Sequence, residues 1–239
     1  MTAADSISVI VPAYNEAEGL AATVDEIVAA VEGDFADYEV LIFDDCSSDG
    51  TAEAADRIGA TNPHVRVVHN AQNQGLGWNF RTGLQMARMT YVTLVNGKHD
   101  IEADQLRRIF ALRGRADVIV PYHTNRHERP LSRQLVSRTF TTLLNLLFAR
   151  RLHYYNDSVL HRTEMLRQFK LHTDSYAFTA ECLIKALDSG CSFVEVPIRN
   201  LYPPGIKTSA FRARNFVGVA KFLGSMVRDV HFTKGYRRG

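Results

Sequence analysis

Cysteine is scarce in this 239-residue sequence. Cys46, Cys182 and Cys191 are an odd number without zinc-type spacing, which argues against a disulfide framework and suits a reducing compartment. Each reads as small apolar filler. Net charge is scarce too. Lys and Arg number 28 against 26 Asp and Glu, and the resulting +2 is too small to drive nucleic-acid binding, although the basic residues gather late in the chain. No run approaches the roughly 18 to 20 apolar residues that cross a bilayer, so any membrane contact is expected to be peripheral. Met1 to Ser6 is short and polar, leads at once into a strand-like run, and does not read as a signal peptide. No Gly-x-Gly-x-x-Gly follows the first strand, which sets a dinucleotide-dependent dehydrogenase aside. Repeats and low-complexity tracts are absent as well. What remains is ordinary globular composition, 46% hydrophobic and 23% charged, enough for one sizeable core.

Ile7 to Val11 is a β-branched run ended by Pro12, and Glu39 to Phe43 is a second, ended by Asp44 and Asp45. Between them, Ala17 to Val31 has helical spacing. The alternation continues with a helix at Thr51 to Ile58, a strand at Val65 to His69, a helix at Trp78 to Arg88 and a strand at Tyr91 to Val95. A helix at Ala103 to Leu112 and a strand at Asp117 to Pro121 close the series. Strand and helix alternating at this length predict an α/β fold with a mainly parallel sheet covered on both faces. Ligands in such sheets sit beyond the carboxyl ends of the strands. After Pro121 the alternation stops. Helices are expected at Leu131 to Leu152, Phe178 to Leu187 and, basic and amphipathic, Phe211 to Val230, with a strand at Ser192 to Pro197.

The first strand ends in Val11-Pro12-Ala13-Tyr14-Asn15-Glu16, a loop able to hold a flat base and a ribose, although Asn15 could equally cap the next helix. The second ends in Asp44-Asp45-Cys46-Ser47-Ser48-Asp49-Gly50-Thr51. A carboxylate there can accept N–H groups of uracil or guanine, while Ser48 or Asp49 caps the helix that follows.

Joined by Asn73-Gln74-Gly75-Leu76-Gly77, with Arg81 and Gly83, these loops resemble family 2 glycosyltransferases in order and spacing. The resemblance implies the GT-A fold, a Rossmann-like mainly parallel sheet, over residues 1–205. A basic amphipathic extension over 206–239 follows. It places Pro12, Tyr14, Glu16, Asp44 and Asp45 against the base and ribose of a nucleotide-sugar donor, with Gly75 and Asn96 on the same side. Gly75 and Gly77 would allow close backbone approach. Further along, Arg129-Pro130-Leu131-Ser132-Arg133, His161-Arg162-Thr163-Glu164 and the stretch from Tyr176 to Glu181 look like the acceptor region of polyprenyl-phosphate sugar synthases. Glu195-Val196-Pro197-Ile198 and Gly205-Ile206-Lys207-Thr208 resemble other elements of those enzymes.

The chain departs from that pattern where an Asp-x-Asp motif should follow the fourth strand. It has Asn96-Gly97-Lys98 instead. Mg²⁺ or Mn²⁺ wants anionic oxygens, and Lys98 offers none. Three accounts stand open: Lys98 replaces the ion as the charge that meets the leaving diphosphate; His99, Asp100 and Glu102 hold a metal after all; or the protein binds nucleotide sugars without transferring them. The family reaction is an inverting displacement. A lipid phosphate acceptor is already anionic, and Arg126, Arg129, Arg133 and Lys207 are candidates to hold it. A neutral, soluble hydroxyl acceptor needs a base, for which Asp157, Glu181 and Asp100 are the candidates. The cluster Leu143, Leu144, Leu146, Leu147 and Phe148, bounded by arginines, and the Phe211 to Val230 segment both suit a membrane interface, the rest of the domain, or a second copy in a homo-oligomer. The expected location is cytoplasmic, free or peripheral on the inner face of a membrane.

Overall fold

The computed structural model describes residues 5–202, 219, 222–233 and 236. Seven strands form one sheet in the order β3-β2-β1-β4-β6-β5-β7. These are β1 (Ser6–Ala13), β2 (Asp37–Asp44), β3 (Val65–His69), β4 (Tyr91–Leu94), β5 (Val118–His123), β6 (Leu160–Arg162) and β7 (Phe193–Ile198). All neighbours run parallel except β6, which pairs antiparallel with both β4 and β5. The expected parallel sheet is therefore interrupted by one short strand that the sequence reading missed. Two of its residues, His161 and Arg162, belong to the segment His161 to Glu164 that the resemblance assigns to the acceptor region. In the fold, His161 is buried mid-sheet between Val92 and Val118.

Seven of the eight residues of β1 are buried because helices cover both faces of the sheet. Ile7, Val9 and Val11 point to one layer with α1 (Leu20–Val31), α2 (Thr51–Thr61) and α4 (Ala103–Phe110), while Ile10 points to the other. That second layer holds α3 (Leu76–Met86), α5 (Leu131–Leu147), α6 (Thr163–Arg167), α7 (Phe178–Asp188) and the helical residues 222–233. α1 shows the logic of its sequence. Leu20, Val24, Ile27 and Val31 recur at helical spacing and are all buried. The helix starts at Leu20 rather than Ala17, and Asn15 does not cap it. α5 ends at Leu147, short of the expected Leu152, because Ala149 turns left-handed (φ 51°). Of the expected Phe211 to Val230 helix, residues 211–218, 220 and 221 lie outside the described residues, as do Lys207 and most of 206–239.

Candidate active site

The carboxyl ends of β1, β2, β4, β5 and β7 share one edge of the sheet, and the antiparallel β6 brings Asp157, which precedes it, to that edge as well. The first two loops are laced together. Asn15 donates its N–H to Ser47 Oγ (3.0 Å), its Oδ1 accepts the Ser48 N–H (2.9 Å), and Glu16 N–H reaches Thr51 Oγ1 (2.9 Å). This explains the left-handed Asn15 (φ 56°): its side chain ties loop to loop instead of capping a helix. Neither Ser48 nor Asp49 is the cap of α2, which is the left-handed Gly50; Asp49 stands one residue earlier and accepts the Thr51 N–H at 3.1 Å in a local turn. Tyr14 stands on this edge 45% exposed, a ring open for stacking. Pro12 is buried, and its carbonyl accepts the Gly97 N–H, which carries the β1–β4 ladder past the end of β4.

The paired aspartates do different things. Asp44 accepts the Ser47 N–H (3.1 Å) and faces His69 Nδ1 (3.3 Å), whose other nitrogen meets Asp56 at 2.9 Å. The Asp56 hydrogen bond, with help from Asp44, raises the His69 pKa. Asp45 is turned toward the third loop, accepting from Asn70 Nδ2 (2.8 Å), Gln74 N–H (2.8 Å) and Gly75 N–H (2.9 Å). Its oxygens thus shape the loop that holds Gly75. Gly77 is needed for packing inside the protein: a Cβ there would lie 2.2 Å from the Thr173 carbonyl oxygen.

Past β4, Lys98 Nζ lies 2.9 Å from Asp100 Oδ2, with the two side chains 31% and 12% exposed. Asn96 is half-buried. The α1 helix approaches so closely that a Cβ on Gly19 would be 2.9 Å from the Lys98 carbonyl carbon. Glu16 belongs to the same group: burial raises its pKa, Lys98 opposes that, and Asp100 and Asp49 add to it. His99 (φ 54°) turns to α1, donating its backbone N–H to Thr23 Oγ1 (2.8 Å) with its ring 3.5 Å from Glu26. Glu102 is exposed at the start of α4. Among the described residues no cluster of His, Cys, Asp or Glu is arranged to hold a metal ion. With Asp100 already paired to a cation, these residues do not fit Mg²⁺ or Mn²⁺.

The last group centres on His123, at the end of β5. It is 4% exposed. Its Nε2 faces the buried Asp157 carboxylate in close contact. Its Nδ1 is 2.5 Å from Arg129 Nη2 and 2.8 Å from the Tyr202 hydroxyl. Arg129 also donates to the Tyr154 hydroxyl (3.3 Å) and lies 4.7 Å over the Tyr202 ring. Arg126 donates to the carbonyls of His123 and His153, both at 3.1 Å. This group is joined to the Lys98 loop by the segment after β7: Leu201 N–H donates to the Asp100 carbonyl (2.8 Å), one residue from Tyr202. Asp157 is therefore not an open base, since it addresses the site through an imidazole. Glu181 is remote in character. It is buried in α7, accepting the N–H groups of His172 (2.9 Å) and Thr173 (2.9 Å) and pairing with the fully buried Lys185 (2.5 Å), so its oxygens organise the fold. Arg133 lies half-buried on the first turn of α5.

His123, Tyr154 and Tyr202 escaped the sequence reading. His123 is the last residue of β5 and Tyr202 lies four residues past the end of β7, so the strand-end rule pointed to the first position and only to the neighbourhood of the second. Tyr154 carries no such signal.

The family profile described as Glycosyl transferase family 2 matches residues 8–173. Among curated proteins, the polyprenol monophosphomannose synthase of Mycolicibacterium smegmatis is 30% identical, with 94% of this chain and 83% of that protein covered. The undecaprenyl-phosphate mannosyltransferase of Micrococcus luteus is 28% identical, with 79% and 81% covered. Among solved structures, glucosyl-3-phosphoglycerate synthase from Mycobacterium tuberculosis in complex with UDP superposes with a TM-score of 0.71 at 19% identity, covering 92% of this chain and 79% of that one. S. aureus TarS does so at 0.63 and 20% identity, covering 95% and 66%. The fold is of the GT-A type.

Proposed function

The chain belongs to glycosyl transferase family 2, and from that premise we propose that it moves a sugar from a nucleoside diphosphate to the phosphate of a polyprenyl lipid, with Lys98 doing electrostatically what a divalent cation does elsewhere. The observation that carries this reading is the position of the Lys98–Asp100 pair. It lies at the strand edge between the loops holding Tyr14 and Asp44 and the group holding Arg129, joined to the latter through Leu201. Tyr14, Glu16 and Asp44 take the base and ribose, with Asn96 and the Gly75 loop beside the diphosphate. Asp45 supports that loop from behind. The acceptor phosphate meets Arg129 and Arg126, with Arg133 and Lys207 further candidates. An anionic phosphate oxygen attacks the anomeric carbon, the bond to the diphosphate breaks, and the nucleoside diphosphate leaves with its electron pair. Lys98 meets the negative charge that gathers there. No protein base is required, which suits a site whose Asp157 and Glu181 are both committed. The names of the two curated relatives favour mannose as the first sugar to try.

No described helix is long and apolar enough to cross a membrane. α5 supports a peripheral seat instead. Leu131 (82%), Leu135 (67%) and Leu146 (77%) are exposed along one side, and Phe232 (79%) stands near the helix end, where His231 bonds to the Leu147 carbonyl (2.9 Å). The exposed Arg138 lies beside this stripe, a combination that suits an anionic lipid surface.

The test is transfer of labelled sugar from GDP-mannose and UDP-glucose to a short polyprenyl phosphate, with and without EDTA. Lipid-linked product that survives chelation supports the reading. Transfer abolished by EDTA and restored by Mn²⁺ refutes the role of Lys98, and product formed only on soluble hydroxyl acceptors refutes the lipid.

A further inference from the structure

We propose that Asp157 and His123 form a positioning pair that sets Arg129 as the anchor for a phosphate monoester; this rests on the lipid-phosphate reading above. The order of protons is dictated by chemistry. A guanidinium only donates, so the His123 Nδ1 that meets Arg129 Nη2 at 2.5 Å must present its lone pair. The one proton of the neutral ring then sits on Nε2, against Asp157. The carboxylate thereby selects the tautomer that can receive the arginine, as carboxylates do behind metal-bound histidines. The Tyr202 hydroxyl lies 2.8 Å from the same Nδ1 and shares its single lone pair with Arg129, while burial pushes the hydroxyl's pKa up to about 12 and keeps it protonated.

Among the described residues, Arg129 is held by two aromatic rings and two hydrogen-bond partners. Its guanidinium carbon is 4.7 Å from the Tyr202 ring centre and 5.8 Å from that of Tyr154, with Nη1 on the Tyr154 hydroxyl and Nη2 on His123. Among the described residues no carboxylate ion-pairs with it, and its Nε is buried without a hydrogen-bond partner. A half-buried cation with an idle donor is completed by an anion. A phosphate monoester supplies several acceptor oxygens and a charge that matches a guanidinium fork better than an ammonium. Asp157 is placed one imidazole away, so its charge orients the arginine without neutralising it.

The probe is farnesyl phosphate, titrated calorimetrically into the full chain, with farnesol and GDP as controls. His123→Ala and Arg129→Ala should each weaken farnesyl phosphate about 10- to 100-fold, the loss typical of one hydrogen bond to a charged group. GDP affinity should not change. The double variant should bind within about twofold of Arg129→Ala alone, because His123 acts only through the arginine. His123→Gln, whose carbonyl can accept from Arg129, should recover most of the affinity. Fully additive losses, or an unaffected His123→Ala, overturn the positioning role. Should His123→Ala fail to fold, His123→Phe, which keeps the ring and removes both nitrogens, replaces it in the cycle. Wild-type protein that binds no farnesyl phosphate overturns the lipid-phosphate reading itself, and this inference with it; wild-type binding with additive losses overturns only the inference.

Discussion

Removing the Lys98 ammonium is the perturbation with the most to reveal. A unit charge about 4 Å from a departing diphosphate contributes roughly 4 kcal/mol at an effective dielectric of about 20. The Lys98 side chain is 31% exposed, and screening lowers the contribution to about 2–3 kcal/mol. The expected loss in kcat for Lys98→Ala is therefore roughly 30- to 150-fold. A further loss comes from Asp100. Its side chain is only 12% exposed, and with its partner 2.9 Å away removed it would confront the diphosphate as an uncompensated negative charge. Lys98→Ala should consequently be about tenfold worse than the double variant Lys98→Ala/Asp100→Asn. The assay is steady-state transfer to a short polyprenyl phosphate, alongside calorimetric titration of the nucleoside diphosphate. Affinity for the nucleotide should change little, since base and ribose are held elsewhere. A Lys98→Ala enzyme that keeps more than half of wild-type kcat would refute the charge argument, and so would one whose nucleotide affinity falls as far as its rate.

Asp45→Ala strips three donors of their shared acceptor and should cost about 3 kcal/mol of stability, read as a lower urea midpoint with an unchanged slope. His161 tests the acid limb. Burial lowers its pKa to about 3 from the ordinary histidine value of 6.5, so the unfolded chain binds a proton that the folded chain refuses between those values. Its contribution to stability is intact above pH 6.5 and is lost as pH falls toward 3. His161→Leu should flatten that limb by about 1.4 kcal/mol per pH unit, and parallel wild-type and variant curves would refute the assignment. Leu135→Glu with Leu146→Glu should reduce sedimentation with phosphatidylglycerol vesicles at least tenfold at low salt. Unchanged vesicle binding together with loss of a dimer would mean that a second copy covers this face of α5.

Much of the sheet and of the loops at its edge was legible in the sequence. Strands were readable because parallel strands buried on both faces must be runs such as Ile7 to Val11, and a strand's end is marked by where such a run stops. Local chemistry also exposed the departure at Asn96-Gly97-Lys98, because a missing carboxylate is visible in one dimension. Misreadings arose where the partner is distant in sequence. Asn15 looked like a helix cap until the fold brought Ser48 to it, and Asp45 looked like a nucleotide ligand until it turned to Gln74 and Gly75. Glu181 looked catalytic until α7 packed it against Lys185.

By itself, then, the sequence determined the layered α/β architecture, the loops at the sheet edge and the presence of Asn96-Gly97-Lys98 after the fourth strand. All of these follow from the order of apolar and polar residues within a few turns or strands. Only the tertiary structure decided which charges are free and which are committed. The His123 group needs the end of β5, the residues before β6 and the segment after β7 to meet, and an antiparallel strand three residues long brings Asp157 to the same edge. A charged contact between residues 34 positions apart has no local pattern to announce it, and its partners are set by packing the whole sheet.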